Sequence, residues 1–255
     1  MTSIKIDDVS FSYNNVDVLK DISLEFNSSN LTCIIGPNGV GKTTLVKCIN
    51  RLLKPNKGSI TIDGEDLSTF SLLDLAKRMA FVPNSVSSVF SMSVSEAILM
   101  GRYPHSGWVT SDYDLRVVED IIHTMNLEDL ADRNFRELSA GQTQRVVIAR
   151  GLVQEPEILI LDEPTSNLDV KHQMDIMKFL SNYSKNMNIK VIMVCHDLNI
   201  TSNFADRIIM MHNGRVFADG TAGQVMTEKN IKDVYGVNSK IIDVDGRPHV
   251  IMLKD

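Results

Sequence analysis

Leu31-Thr32-Cys33-Ile34-Ile35-Gly36-Pro37-Asn38-Gly39-Val40-Gly41-Lys42-Thr43-Thr44 is the stretch that decides how this chain folds. Leu31 to Ile35 is a short apolar run of strand length, a glycine-rich turn follows, and Lys42 to Leu53 reads as a helix. That order is the opening of a buried parallel βα unit. Within it, Gly36 to Thr43 spells GxxxxGK[ST] in the strand-turn-helix context the pattern requires. Glycines let successive backbone N–H groups turn inward on phosphates, and the helix N-terminus adds its partial positive charge. Gly36, Pro37, Asn38, Gly39, Val40, Gly41, Lys42, Thr43 and Thr44 are therefore candidate nucleotide contacts. Lys42 neutralises the terminal phosphates of a nucleoside triphosphate, and Thr43 reaches Mg²⁺. The bland alternative, a glycine turn that merely precedes a helix, leaves the adjacent Lys-Thr pair unexplained.

Outward from this unit the pattern changes. Residues 3–13 and 18–26 alternate apolar and polar side chains, as half-buried antiparallel strands do. Ser93-Val94-Ser95-Glu96 spells a capping box, and Leu115, Val118, Ile122 and Met125 recur at helical spacing, so 85–140 reads as a helical insertion. Strands return at Ile158 to Leu161, Val191 to Cys195 and Arg207 to Met211, separated by helices around Gln142 to Gln154 and Val170 to Asn186. Asn213-Gly214 and Asp245-Gly246 are two-residue hairpin signals. The expected fold is α/β, a single domain over 1–255. Its parallel-sheet core (1–84 and 141–255) carries an N-terminal antiparallel β-subdomain, and 85–140 forms a helical subdomain.

Composition narrows the function. Of the 255 residues 43% are hydrophobic and 23% charged, which excludes a disordered chain. Lys and Arg number 26 against 32 Asp and Glu, a formal charge of −6, so no basic excess points to nucleic acid as a partner. No apolar run approaches the roughly 18 residues that cross a bilayer. The N-terminus lacks the apolar core of a signal peptide, so the chain is expected in the cytoplasm. Cys33, Cys48 and Cys195 are far apart in apolar stretches and are expected to be buried small hydrophobes.

Two further clusters carry chemistry. Ile158 to Leu161 runs into Asp162-Glu163, and in open α/β sheets ligands gather beyond the carboxyl ends of the strands. A buried strand that ends in adjacent acids needs partners for their charge. Asp162 is assigned to Mg²⁺ and Glu163 to polarising an attacking water. His196 follows the apolar strand Val191 to Cys195 and is placed to contact a γ-phosphate, although a lone strand-end histidine is more often structural.

Leu138-Ser139-Ala140-Gly141-Gln142 resembles the LSGGQ signature of ATP-binding cassette (ABC) ATPases, and nearly the whole chain fits that family. The resemblance implies a P-loop NTPase fold with a RecA-like parallel core, ATP and Mg²⁺ as ligands, and ATP hydrolysis as the activity. Tyr13 looks like the aromatic that stacks on adenine, Ser166-Asn167-Leu168-Asp169 like the D-loop, and His196 like the switch histidine. Ser139 and the backbone at Gly141 form a second anion-binding nest at a helix start. One chain holds each half-site once. The resemblance therefore implies a homodimer sandwiching two ATPs, with Ser139, Gly141, Gln142 and Asp169 acting in trans. Read without the family, Ser139 is an ordinary helix N-cap and Tyr13 a packing aromatic.

Where ABC ATPases carry the Q-loop glutamine, which contacts Mg²⁺ and the attacking water, this chain has Asn84. The amide oxygen survives on a side chain one methylene shorter, so either the loop moves inward or a water fills the gap. Asn84 is kept as a candidate contact of ATP and of Mg²⁺. Ala140 in place of the signature's first glycine is a smaller departure. With no span of its own, the chain resembles a separate ATPase subunit, peripheral on the cytoplasmic face of the membrane. Its implied partners are transmembrane permease subunits, met through a face between 85 and 110, and indirectly a substrate-binding protein. Gly101-Arg102-Tyr103-Pro104-His105, the run from Thr165 to Gln173, His196-Asp197-Leu198-Asn199 and the ending Val244 to Val250 resemble the iron-siderophore, haem and cobalamin importers. An importer with another cargo, or a soluble ABC ATPase of iron-sulfur cluster assembly, would share the catalytic motifs. A chromosome or repair ATPase needs long coiled-coil heptads, which the segment between Thr43 and Leu138 lacks. A non-catalytic binding module is opposed by the intact Lys42, Asp162, Glu163 and His196.

Overall fold

The computed structural model describes residues 2–28, 31–84, 91–107, 109–166 and 168–254. Strands β1 (Ile4–Tyr13), β2 (Val16–Phe26) and β3 (Leu31–Ile35) lead into helix α1 (Lys42–Ile49), then β4 (Lys57–Ile62) and β5 (Glu65–Asp66). Next come α2 (Leu72–Arg78), β6 (Met79–Val82), α3 (Val94–Leu99), α4 (Tyr103–Ser106), α5 (Asp112–Thr124), α6 (Ala140–Leu152), β7 (Ile158–Asp162) and α7 (Val170–Asn186). The chain continues through β8 (Lys190–Val194), α8 (Leu198–Phe204), β9 (Arg207–His212), β10 (Arg215–Gly220), α9 (Ala222–Val225), α10 (Glu228–Tyr235), β11 (Ser239–Val244) and β12 (Arg247–Met252). It divides into two compact units, Met1–Thr69 with Met177–Asp255, and Phe70–Ile176.

In the first unit β3 is buried along its whole length and runs parallel to β8 on one side and to β9 on the other. A strand covered on both faces has no use for alternation, which is why Leu31 to Ile35 reads as continuously apolar. β10 returns antiparallel to β9 through Asn213-Gly214, whose φ values of 50° and 78° suit a tight hairpin turn. Asp245-Gly246 (52° and 77°) does the same between β11 and β12. A separate antiparallel sheet has the order β2-β1-β4-β5. There Ile4 and Ile6 are buried while Lys5 and Asp7 are exposed, the alternation expected of one solvated face. Helix α1 ends at Ile49, short of the expected Leu53, because Arg51 takes a left-handed φ of 56° that no α-helix continues through.

In the second unit β6 and β7 pair in parallel, Met79 opposite Ile158 and Val82 opposite Leu161. Helices α3, α5 and α6 pack on one another. Ser93 caps α3 in the capping box that its sequence predicts, and Ser111 caps α5 in a second one with Asp114. The helical stretch expected from Ser93 to Met125 is interrupted between α3 and α5, where Pro104 opens the short α4 and Gly107 closes it at a φ of 61°. Arg102 is the anchor of this corner, with 2% of its surface exposed. Its Nε donates to Asp114 Oδ1 (2.7 Å), and its Nη1 donates to Val153 O (2.6 Å) and Glu155 Oε2 (2.7 Å). Of the docking face expected between 85 and 110, residues 85–90 and Trp108 lie outside the described residues; Arg102 is buried there, whereas Tyr103 and His105 are exposed.

All three cysteines are buried and free, as their apolar settings predict. Among the described residues no helix is long and apolar enough to cross a membrane.

The Arg102–Asp114 pair makes a testable demand. Removing one partner of a buried ion pair costs about 3–5 kcal/mol, so Arg102→Ala should lower the urea unfolding free energy by that order. Hydrogen bonds from the Ser111 hydroxyl and backbone, and then from Arg102, hold the Asp114 carboxyl down at about 2, against the opposing effect of burial. An unfolded aspartate titrates near 3.9, so this stabilisation is complete above roughly pH 4 and is lost as pH falls towards 2. The stability gap between the wild type and Asp114→Asn should therefore close over that window; a gap that stays constant with pH would contradict it.

Candidate functional site

In the first unit β3 delivers the chain directly into the glycine-rich turn. Gly36 has a φ of 143°, and a Cβ there would lie 2.3 Å from the Met211 carbonyl oxygen on β9, closer than a side chain tolerates. Gly39, at φ 81°, has nothing within 4 Å of its own Cβ position, so the turn is open to an incoming group at that point. α1 carries no acidic residue in its first turn to offset the partial positive charge of its N-terminus. Lys42 is only 5% exposed. Its ammonium folds back over the turn and donates to Gly36 O (2.7 Å) and Pro37 O (2.9 Å). Thr44 is buried and Thr43 half-buried.

Tyr13 lies at the end of β1, 45% exposed, edge-on to Phe11 with centroids 4.7 Å apart. His196 is exposed just beyond β8; Cys195 N donates to Ile34 O (3.0 Å), and Asp197 caps α8 by accepting from Ile200 N (2.8 Å). Tyr235, from α10, forms a hydrogen bond with the Gly36 backbone. Burial pushes its phenol up to about 12.

In the second unit β7 ends on Asp162, which is 5% exposed. Glu163 then adopts a φ of 52°, a left-handed conformation that costs a non-glycine residue about 1–2 kcal/mol. The parallel register of Val82 with Leu161 carries Asn84 alongside Glu163. Asn84 Nδ2 donates to Glu163 Oε2 (3.0 Å), and the Ser166 hydroxyl lies 2.8 Å from Asn84 Oδ1 and 2.9 Å from Glu163 O. The hydroxyl points the amide oxygen of Asn84 towards Ser166, which leaves the amide N–H₂ for the carboxylate.

Ser139 caps α6 as its sequence predicts. Its hydroxyl accepts from Gln142 N (3.4 Å) while Gln142 Oε1 accepts from Ser139 N (2.9 Å). Asp169 Oδ1 accepts from both His172 N (2.9 Å) and His172 Nδ1 (2.8 Å). Those bonds, the backbone one first, hold the Asp169 carboxyl below its ordinary range. Asn167 lies outside the described residues.

The structure thus joins Gly36, Pro37 and Lys42 in the first unit, and Asn84 with Glu163 in the second. Reasoning from sequence missed three participants. Ser166 and His172 sat inside motif stretches without any chemistry of their own being visible, and Tyr235 is too far along the chain from Gly36 for any spacing to reveal the contact. Each unit carries oxygen donors of the hard kind that Mg²⁺ takes, Thr43 in the first and Asp162 and Asn84 in the second.

The family described as ABC transporter matches residues 19–166. An uncharacterized ABC transporter ATP-binding protein of Methanocaldococcus jannaschii is 44% identical over 248 residues, 97% of this chain and 97% of that protein. The iron(3+)-hydroxamate import ATP-binding protein of Bacillus subtilis is 33% identical over 244 residues, 95% of this chain and 91% of its own. Among solved structures, a metal-chelate-type ABC transporter in an inward-facing conformation superposes with a TM-score of 0.86 at 25% identity, covering 99% of this chain and 98% of that one.

The two glycines of the turn should respond differently to a methyl group. Gly36→Ala meets a backbone carbonyl that cannot move aside and should cost about 3 kcal/mol or more, the sum of overpacking and a strained φ. Gly39→Ala meets open space and should cost about 1–2 kcal/mol for its φ alone. Urea unfolding of the two variants measures the difference, and equal losses would contradict this account of the turn.

Proposed function

Because the chain belongs to the ABC transporter family as its ATP-binding, ATP-hydrolysing subunit, we propose that it powers a membrane importer of iron-siderophore complexes or of the related haem and cobalamin cargoes. The observation that carries the nucleotide part is Lys42, an ammonium held over the carbonyls of Gly36 and Pro37 at a helix start with no acid of its own. The cargo part is supported by relatives such as the iron(3+)-hydroxamate import protein, of which this chain spans nearly the full length.

In this reading Tyr13 stacks on the adenine, an interaction typically worth about 1–3 kcal/mol. The turn from Gly36 to Thr44 and the start of α1 bind the phosphates, and Lys42 exchanges loop carbonyls for the terminal phosphate oxygens. Thr43, Asp162 and Asn84 would hold Mg²⁺, which would neutralise the phosphate oxygens when bound. Glu163 takes the proton of the attacking water, with its carboxylate held in position by Asn84, and His196 contacts the γ-phosphate. Two copies close over two nucleotides, each contributing Ser139, Gly141, Gln142 and Asp169 to the other's ATP. ATP stabilises the closed dimer, hydrolysis releases it, and the motion passes to permease subunits on the cytoplasmic face of the membrane. A substrate-binding protein would act on those permeases and not on this chain.

Glu163→Gln should lower kcat for ATP by roughly 10²–10⁴-fold, the usual contribution of a general base, while ATP affinity is kept. Ser166→Ala should lower kcat about fivefold with KM unchanged, since it removes one hydrogen bond that orients Asn84. Purification of the tagged chain in mild detergent from its native cells tests the transport part. A stoichiometric polytopic membrane protein, with a retained metal chelate, haem or corrin, is the expected result; soluble partners alone beside an active ATPase would overturn the importer reading.

A further inference from the structure

The imidazole of His172 touches two of the groups that the proposed dimer presents to a second copy's nucleotide. On one side Nδ1 lies 2.8 Å from Asp169 Oδ1, which also accepts the His172 backbone N–H at 2.9 Å. On the other side the ring covers Gly141, where a Cβ would lie 2.8 Å from Cδ2, 3.1 Å from Cγ and 3.2 Å from Nε2. Gly141 is not among the glycines with positive φ, so the ring, and not the dihedral, excludes a side chain there. The ring does not swing aside cheaply, because its bond to Asp169 fixes its rotamer at the start of α7. Gly141 in turn sits in the first turn of α6, where backbone N–H groups have no partners within the helix.

We infer that His172 is a positioning residue for ATP hydrolysis, which fastens Asp169 to the N-terminus of α6 so that both meet the second copy's nucleotide as one rigid edge. The inference rests on the dimer reading above. It also gives the glycine of the signature a local reason: residue 141 is small because the imidazole that ties the edge together lies against it.

The test uses the full-length chain with ATP and Mg²⁺, reading kcat and KM directly and reading ATP-driven self-association by sedimentation on a Glu163→Gln background. Affinity for a fluorescent ATP analogue is measured at dilutions where the chain is a single copy. His172→Ala should leave that affinity unchanged within about twofold, while kcat and self-association each fall about tenfold, as loss of a charge-assisted hydrogen bond allows. His172→Asn places an amide nitrogen where Nδ1 was and should recover most of both; His172→Phe keeps the ring and loses the donor, and should not. Gly141→Ala should impair self-association by more than about tenfold, and His172→Ala added to it should bring it back to the level of His172→Ala alone by making room for the methyl group. A His172→Ala chain with wild-type kcat and self-association would overturn the inference, as would a Gly141→Ala defect indifferent to the ring. If the chain with His172 intact does not self-associate with ATP, the dimer reading falls and takes the inference with it.

Discussion

Gly36 and the Met211 carbonyl oxygen approach so closely that no side chain fits between them, and the first unit is organised by that approach. It exists because β3 and β9 run parallel with Ile35 opposite Met210, so the chain leaving β3 must turn beside the chain continuing along β9. The turn that results exposes Gly39, starts α1 at Lys42 and brings the Lys42 ammonium back over its own carbonyls. The shape of this loop is thus a consequence of strand order as much as of glycine content, and the hydrophobic burial of β3 holds it in place.

The second unit solves a different problem. Glu163 stands in a strained conformation, and the structure offsets the strain locally by binding its carboxylate with Asn84 and its backbone oxygen with Ser166. A residue held this way has little rotational freedom left to lose when a water molecule arrives. The helical part of the same unit relies on one buried guanidinium, Arg102, which joins α5 to the end of α6 where apolar packing alone would allow sliding.

Much of this was legible in the sequence. Period-two alternation in β1 and β2, the apolar run of β3, both hairpin turns, and the caps at Ser93 and Ser139 are local signals, set by the residues that form them. The end of α1 at Arg51 was not, because a left-handed φ at a non-glycine residue leaves no local signature, and the break between α3 and α5, although Pro104 and Gly107 mark it, was masked by the helical spacing on its far side. The site divides in the same manner. Gly36 to Thr43 and Asp162-Glu163 are contiguous motifs and could be read directly. The direct bond from Asn84 to Glu163 depends on strand register, and sequence reasoning left open whether the shorter amide needed a moved loop or a bridging water.

The cysteines have a practical side. Cys33, Cys48 and Cys195 are all buried, and burial pushes the Cys48 thiol up to about 12 and the Cys33 thiol well above its ordinary range. Cys33 and Cys48 form little thiolate at neutral pH, and all three thiols, being buried, are shielded from maleimides and methanethiosulfonates. The native chain is therefore already a quiet background for site-directed labelling. A single cysteine placed on an exposed position would carry a fluorophore or spin label without first stripping out the natural ones, and the segments that contain them would keep their packing.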